Sequence, residues 1–242
     1  MSKLRPRYIL VGGNGYVGRA LHDELRKRDV DVVVIGRNMS VDKYIKSNDI
    51  VFYLATENKS NKKIDHWKVN VLGLKKIVKI CSQIKVKKLV YLSTIMVFKN
   101  GQIRDSVTNN LYVDSKVEGL KFFLKHQNKN FFVVYPGVVL NRDFRYQRKV
   151  VGILNNIKNK LGFFTQGGLM MMIGDKHRLV KYIFIDELVK ILLNLNDRVS
   201  EVMAVTHTLT VQDYVKVASK TTNFWPFRIP LFGMKSKFFV DY

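Results

Sequence analysis

The chain has 242 residues, with 42 Lys+Arg against 19 Asp+Glu and a formal net charge of +23 at pH 7. With 47% hydrophobic and 25% charged residues, 15 Gly and 4 Pro, its composition is globular and excludes intrinsic disorder and collagen-like structure. The longest apolar runs, such as Phe131–Leu140, stop well short of the roughly 20 residues that a bilayer span needs.

The length suits one domain, or one domain with a small appendage. After Met1–Arg7 the apolar stretch lasts only from Tyr8 to Val11, so no signal peptide is expected. The single cysteine, Cys81, can form neither an internal disulfide nor a cysteine-based metal cluster, which fits a reducing cytoplasm. Lysines outnumber arginines 29 to 13 and are scattered over most predicted helices, as on a solvated surface. The densest basic stretch is read as Arg142–Lys181, the first place to look for an anionic ligand.

Strands and helices alternate from Tyr8 to Leu140, the pattern of a parallel sheet covered on both faces. Tyr8–Gly12 reads as a strand and Tyr16–Arg28 as a helix with Val17, Leu21 and Leu25 on one face. Val30–Ile35, Asp49–Ala55, Lys88–Thr94 and Phe131–Leu140 supply four more strands, and helices are expected over Trp67–Ile84 and from about Asn110 to His126. The remaining third changes character. Arg145–Leu161 looks helical and Gly162–Gly174 irregular. Lys181–Ile185 is a short strand leading into a helix from Asp186 to Leu195, and Val202–Thr206 is a further strand candidate. Thr210, with Asp213 three residues later, has the spacing of a helix cap. The aromatic tail Phe224–Phe232 is broken by Pro226 and Pro230 and is expected to be extended, either over a substrate cleft or on an acidic membrane surface.

The expected fold class is therefore α/β: a doubly wound parallel sheet of the Rossmann type with a small C-terminal subdomain. Residues 1–140 form the dinucleotide-binding core, 181–208 contribute to the same sheet, and 141–180 and 209–242 make the substrate-binding part.

Gly12-Gly13-Asn14-Gly15-Tyr16-Val17-Gly18 falls between the first strand and the first helix. Glycines there permit a tight turn and close approach to a pyrophosphate, while the helix N-terminus supplies partial positive charge. Two registers are open, G-x-G-x-x-G from Gly13 and G-x-x-G-x-x-G from Gly12. The end of the second strand reads Ile35-Gly36-Arg37-Asn38, with no carboxylate for ribose hydroxyls. The Arg37 guanidinium suits a 2′-phosphate, so NADP(H) is favoured over NAD(H).

Tyr112 and Lys116 are spaced i, i+4 and share a helical face. A free phenol has a pKa near 10, and a neighbouring ammonium brings it towards use as an acid or base at neutral pH. The strand ending Ser93-Thr94 lies between this pair and the glycine turn. The five histidines show no metal-ligand spacing, and no metal is expected. Met170-Met171-Met172 and Cys81 read as packing.

With these motifs in order, the sequence resembles the extended short-chain dehydrogenase/reductases, the NAD-dependent epimerase/dehydratase family, from Tyr8 to about Leu193. The resemblance also rests on Asp49–Ala55, on Asn70-Val71-Leu72-Gly73 as N-V-x-G, and on Tyr91–Phe98 as Y-x-S-S-x-x-V-Y. Tyr135-Pro136-Gly137 stands for R-P-G and Ile185-Asp186-Glu187-Leu188 for V-D-D-L. It implies Tyr112 as acid/base, Lys116 as the residue that lowers its pKa and holds the nicotinamide ribose, and Thr94 as hydrogen-bond donor to the reacting oxygen. It further implies cofactor contacts from Gly12, Gly15, Tyr16, Val17, Gly18, Arg37, Leu54, Ala55, Lys116 and Pro136.

The departures are informative. The link from Ile35 to Ile50 is too short for the family's third strand, and Ile95-Met96 replace the Asp-Glu pair of dehydratases. The activity expected is reduction of a keto group on a nucleotide-linked sugar, with Arg142, Arg145 and Arg178 as candidate partners of the anionic diphosphate. Epimerisation, a non-catalytic dinucleotide sensor and a basic RNA- or membrane-associated scaffold remain open. No specific nucleic acid is expected as partner, and a homodimer through the helices 67–84 and 110–126 is the assembly to test.

Overall fold

In a computed structural model, the structure describes residues 6–36, 39–105, 107–142, 169–172, 177, 179–196, 199–210, 213 and 225–228. They fall into two units. One is built on the chain up to Pro136 and Asp186–Ala204, and the other on Gly137–Ile185 and Val205–Val240.

The first unit is built on six parallel strands. In chain order its elements are β1 (Tyr8–Val11), α1 (Tyr16–Lys27), β2 (Val32–Ile35), β3 (Ile50–Tyr53), α2 (Lys63–His66), a π-helical stretch (Trp67–Gly73), α3 (Leu74–Ile84) and β4 (Lys88–Leu92). A short hairpin of β5 (Phe98–Lys99) and β6 (Gln102–Ile103) follows, then α4 (Leu111–Lys125) and β7 (Phe131–Pro136). The sheet order is β11-β7-β4-β3-β1-β2, with β11 being Glu201–Ala204. Its strands are short β-branched and aromatic runs with apolar side chains on both faces, as a doubly covered parallel sheet requires.

Alternation sorts those side chains into two layers. Ile9, Val11, Val51, Tyr53, Leu89, Tyr91, Phe131, Val133 and Tyr135 join Leu74, Ile77, Val78 and Cys81 of α3 and Leu120 and Phe123 of α4 in one core cluster. Leu10, Phe52, Val90, Phe132 and Val134 are buried on the other face. The crossovers from β1 to β2 and from β3 to β4 run in opposite directions along the sheet. Right-handedness therefore puts α1, with buried Leu21 and Leu25, opposite α3 and α4. Burial among apolar neighbours also pushes the Cys81 thiol up to about 12, so it acts as packing.

The first switch in direction comes at β2, which is the edge strand: no strand stands outside it among the described residues. Among its described residues the link back to β3 contains only a 3₁₀ turn, Val41–Lys43, as its shortness anticipated. Helices 63–84 run without a break, since His66, Trp67, Gly73 and Leu74 all keep right-handed helical angles across the π-helical stretch. There α4 crosses at very short range. A Cβ on Gly119 would sit 2.5 Å from the Asn70 carbonyl oxygen and 3.2 Å from Leu74 Cδ2. Gly119→Ala should therefore destabilise the protein by about 1–3 kcal/mol. A lowered urea midpoint with an unchanged m-value would establish this.

The run Phe131–Leu140, expected as one strand, is two. β7 ends at Pro136, and β8 (Val138–Leu140) belongs to the second unit. Gly137 makes the break, because a Cβ there would collide with the Lys181 carbonyl oxygen. The expected contribution of 181–208 to the central sheet is accordingly narrower. Among the described residues of that stretch only β11 joins it, pairing in parallel with β7. Of the rest, β10 (Leu179–Phe184) pairs in parallel with β8 and antiparallel with β12 (His207–Thr210) in a separate three-stranded sheet. Helix α5 (Ile185–Leu193) buries Leu188, Val189 and Leu192. The second unit also holds a parallel pair, β9 (Leu169–Met172) with β13 (Trp225–Arg228), which gives the tail an extended segment. The expected cap is present: Thr210 Oγ1 donates to Asp213 Oδ2 at 2.7 Å and accepts from Asp213 N at 3.0 Å. The helix expected over Arg145–Leu161 lies outside the described residues.

Candidate dinucleotide and catalytic site

The glycine turn sits at the C-terminal end of β1, against the end of β3. Gly12 has φ +89°, and a Cβ there would lie 2.5 Å from Ala55 N. A Cβ on Gly18 would lie 2.5 Å from both Gly12 O and Gly13 Cα, so α1 can only pack this closely with glycine at its third residue. Gly15 caps α1, and its Cβ position meets nothing but Gly12 O at 3.2 Å. Among the described residues no side chain caps α1, and its first turn has no acidic residue. A glycine-lined turn at a helix N-terminus with no acidic residue in its first turn is the cradle a pyrophosphate needs. The residues present fit a dinucleotide. Leu54 continues β3 into the same corner, donating its N–H to Val11 O at 2.8 Å. Tyr16 and Val17, in the first turn of α1, are half-buried.

The second cluster is carried by α4 and the end of β4. Asn110 caps α4, its Oδ1 accepting from Tyr112 N at 3.1 Å and Val113 N at 3.3 Å. Asp114 Oδ1 accepts from both the amide and the hydroxyl of Thr108, each at 2.7 Å. These bonds fix the first helical turn and hold Tyr112 there, where the helix dipole favours a developing phenolate. One turn on, Lys116 is 2% exposed, and its Nζ donates to Leu92 O at 2.9 Å while lying 4.8 Å from the Tyr91 ring centroid. Burial lowers its ammonium to about 7. Leu92 ends β4, and Thr94 follows two residues later, buried, its Oγ1 accepting from Met96 N at 3.3 Å. Since that oxygen accepts from the backbone, its own hydrogen is what Thr94 has to donate. Lys116 thus ties the helix bearing Tyr112 to the strand end bearing Thr94.

Asn70 holds this arrangement from below, a role that its place in N-V-x-G did not disclose. It is 1% exposed, within the π-helical stretch. Its Oδ1 accepts from Thr56 Oγ1 at 3.2 Å and Glu57 N at 2.9 Å, and its Nδ2 donates to Glu57 O and Ser115 Oγ, each at 2.9 Å. Ser115 in turn donates to Tyr112 O at 2.8 Å. The loop after β3 is therefore tied through Asn70 to the helical turn between Tyr112 and Lys116. The only signal in sequence is a polar residue on an otherwise apolar helix face. His66 secures the same loop, with Nδ1 3.0 Å from Glu57 O and Nε2 2.7 Å from Ser60 O.

Tyr135 takes the place of the arginine in R-P-G, and the structure gives it a different partner. Its hydroxyl donates to Glu201 Oε2 at 2.6 Å, and its ring meets Phe98 edge-on at 4.9 Å. Burial and that carboxylate hold the phenol well above its ordinary range. Pro136 is buried and lies opposite Ala204 in the sheet. In the second unit Arg142 lies 4.7 Å over the Phe184 ring. Arg37, Arg145 and Arg178 lie outside the described residues. Among the described residues there is no metal-binding group of His, Cys, Asp or Glu, and no helix is long and apolar enough to cross a membrane.

The sequence profile of the NAD dependent epimerase/dehydratase family matches residues 8–205. The chain belongs to that family. The matched span includes every element of the two clusters, from the glycine turn to the end of β11. No curated protein sequence matches the chain. Among solved structures, this family member is similar to UDP-glucose 4-epimerase from Thermotoga maritima, at 18% identity and TM-score 0.69, over 97% of this chain and 88% of that one. It is similar to MoeE5 in complex with UDP-glucose and NAD at 18% identity and TM-score 0.70, over 92% and 84%. A GDP-L-fucose synthetase from Naegleria fowleri aligns at 16% identity and TM-score 0.68, over 94% and 82%. At such identities the likeness is one of fold.

Proposed function

We propose that this protein is an oxidoreductase that uses NADP(H) to reduce a keto group on a nucleotide-linked sugar. The observation that carries this reading is the link from Lys116 Nζ to Leu92 O, which brings the helix of Tyr112 to the strand end of Thr94. The glycine turn would hold the pyrophosphate of NADP(H), and the bound cofactor would supply hydride exchange. Tyr112 donates its phenolic proton to the oxygen of the carbonyl as that oxygen becomes an alkoxide, and Thr94 donates a hydrogen bond to the same oxygen. Lys116, when charged, favours the phenolate left on Tyr112.

The substrate class is supported by the family and by the UDP-glucose and NAD named for the MoeE5 complex. Reduction rather than epimerisation is supported by Gly36-Arg37 at the end of β2, where no carboxylate awaits the ribose hydroxyls of NAD. Ile95-Met96, in place of an acid/base pair, argues against dehydration.

A screen of keto-sugar nucleotides, followed by lipid-like and small ketones, tests the reading through net oxidation of NADPH. Interconversion of sugar epimers with no net cofactor change would replace it with an epimerase. Arg37→Asp should weaken NADPH binding by about 1–3 kcal/mol and narrow its advantage over NADH. Equal affinity for the two cofactors in the unmodified protein, measured by fluorescence titration, would remove the NADP(H) assignment.

A further inference from the structure

In the proposed reaction Lys116 acts as a cation, yet its burial works against the charge. Leu92 O gives the ammonium one hydrogen bond. The other group at its end is the ring of Tyr91, over which Nζ lies 4.8 Å from the centroid. Tyr91 is 0% exposed and Lys116 2%, so water takes no part in the contact. A cation over an aromatic face is attracted by the ring's quadrupole, most strongly where both are desolvated. The ring is fixed by its neighbours. Tyr53, opposite it in the register of β3 with β4, lies 6.2 Å away between centroids, and Phe123 of α4 lies 5.3 Å away. Tyr53 is anchored in turn, its hydroxyl donating to Val69 O at 2.6 Å. The Tyr91 hydroxyl meets only Ser93, and among the described residues neither side-chain oxygen has a further partner. What Tyr91 brings to this place is therefore its face, and phenylalanine would bring the same.

No anion takes this part instead. The titratable side chains on the elements packed around the pair are Tyr112 on α4, Tyr53 on β3, Cys81 on α3 and Tyr135 on β7, which is hydrogen-bonded to Glu201. Linked through Asn70 are Glu57 and His66. None of these moves the Lys116 ammonium, which is shifted by burial. Burial also holds the phenols of Tyr53, Tyr91 and Tyr135 above their ordinary range, so none of the three is an anion at neutral pH. Two roles compete for the Tyr91 ring. Filling the space between β4 and α4 asks only for apolar volume, whereas holding a cation asks for a π face.

We propose that Tyr91 is a positioning residue that acts through Lys116: by cation–π attraction its ring favours the ammonium form and holds it at the end of β4, between the helix of Tyr112 and the strand end of Thr94. The ring offsets part of the cost of burying the charge and leaves the rest. The value of that charge to turnover rests on the function proposed above. The attraction itself does not.

Urea unfolding of the full chain, Tyr91→Phe and Tyr91→Leu from about pH 5 to about pH 9 tests it without any substrate. The Lys116 ammonium is lost more easily from the folded chain than from the unfolded one. Stability is therefore level while both states are protonated and rises once the folded state releases its proton. With the π face gone, that rise should begin about one pH unit lower in Tyr91→Leu. Tyr91→Phe should keep the parent's profile. Lost core volume lowers the stability of Tyr91→Leu at every pH alike, and groups that titrate equally in all three proteins cancel in the comparison. In a Lys116→Met background the profiles of the Leu and Phe variants should have the same shape. If Tyr91→Leu fails to fold, as judged by circular dichroism, Tyr91→Met replaces it. An unmoved onset in the aliphatic variant, an equal move in Tyr91→Phe, or a move that persists in the Lys116→Met background would overturn the proposal. Full activity of Tyr112→Phe would overturn the catalytic assignment and leave these profiles as they are, so the two failures read out separately.

Discussion

Tyr112→Phe should lower turnover by about 10²–10⁴-fold, the usual cost of removing a positioned general acid, while dinucleotide binding stays intact. The substitution removes one oxygen. Two bonds that build this turn reach Tyr112 through its backbone: its N–H goes to Asn110 Oδ1 and its carbonyl oxygen accepts from Ser115 Oγ. The helix cap and the tie to Asn70 therefore survive, and the loss falls on chemistry. The glycine turn is separate in the chain and owes its form to backbone contacts at Gly12 and Gly18, so cofactor affinity by fluorescence titration should be unchanged. Full activity of Tyr112→Phe on a genuine substrate would show that the acid lies elsewhere.

Lys116→Met should abolish turnover and yet raise stability. The side chain is 2% exposed and its ammonium has one hydrogen bond, to Leu92 O. A buried charge with so little compensation costs the folded state more than an apolar chain of similar volume would. The pH dependence carries the signature. Burial lowers this ammonium from 10.5 to about 7, so the unfolded chain binds the proton more tightly than the folded one. Below about pH 7 both states are protonated and the penalty is complete; it is relieved as pH rises from about 7 towards 10.5, by an amount on the order of several kcal/mol. Urea unfolding at about pH 6 and about pH 9 should therefore show the unmodified protein gaining stability with pH, and Lys116→Met losing that gain. A variant less stable than its parent at the lower pH would mean that Lys116 is compensated by partners beyond Leu92 O.

Both predictions rest on side chains that the sequence already singled out, and the order of legibility has a physical basis. Strands β1, β3, β4 and β7 were readable because a sheet covered on both faces needs continuous apolar runs, and such runs stand out. The glycine turn was readable because its steric demands admit no side chain, although its register was not. The positive φ at Gly12 accompanies a contact with Ala55 N, which lies beyond the end of β3 and far along the chain. The Tyr112–Lys116 spacing was legible as a shared helical face, whereas the depth of Lys116 was not, because burial depends on what α4 packs against. Asn70 was passed over for the same reason: its partners, Thr56, Glu57 and Ser115, come from outside its own helix.

What the sequence determined by itself was local: the alternation of strand and helix, the missing strand after β2, and the cap at Thr210. Each is set by neighbours within a few residues or by the length of a link. What only the tertiary structure decided was every contact between distant segments. Gly137 divides one apolar run between two sheets because the Lys181 carbonyl stands beside it. Tyr135 replaces an arginine and turns to Glu201 because β11 pairs beside β7. Lys68, Lys75, Lys76 and Lys79 share the outward side of helices 63–84 because that helix buries Leu74, Ile77 and Val78 on its other side. Chain neighbours fix backbone angles and periodicity, while burial, and with it the pKa of Lys116 and the exposure of Leu72, is a property of packing.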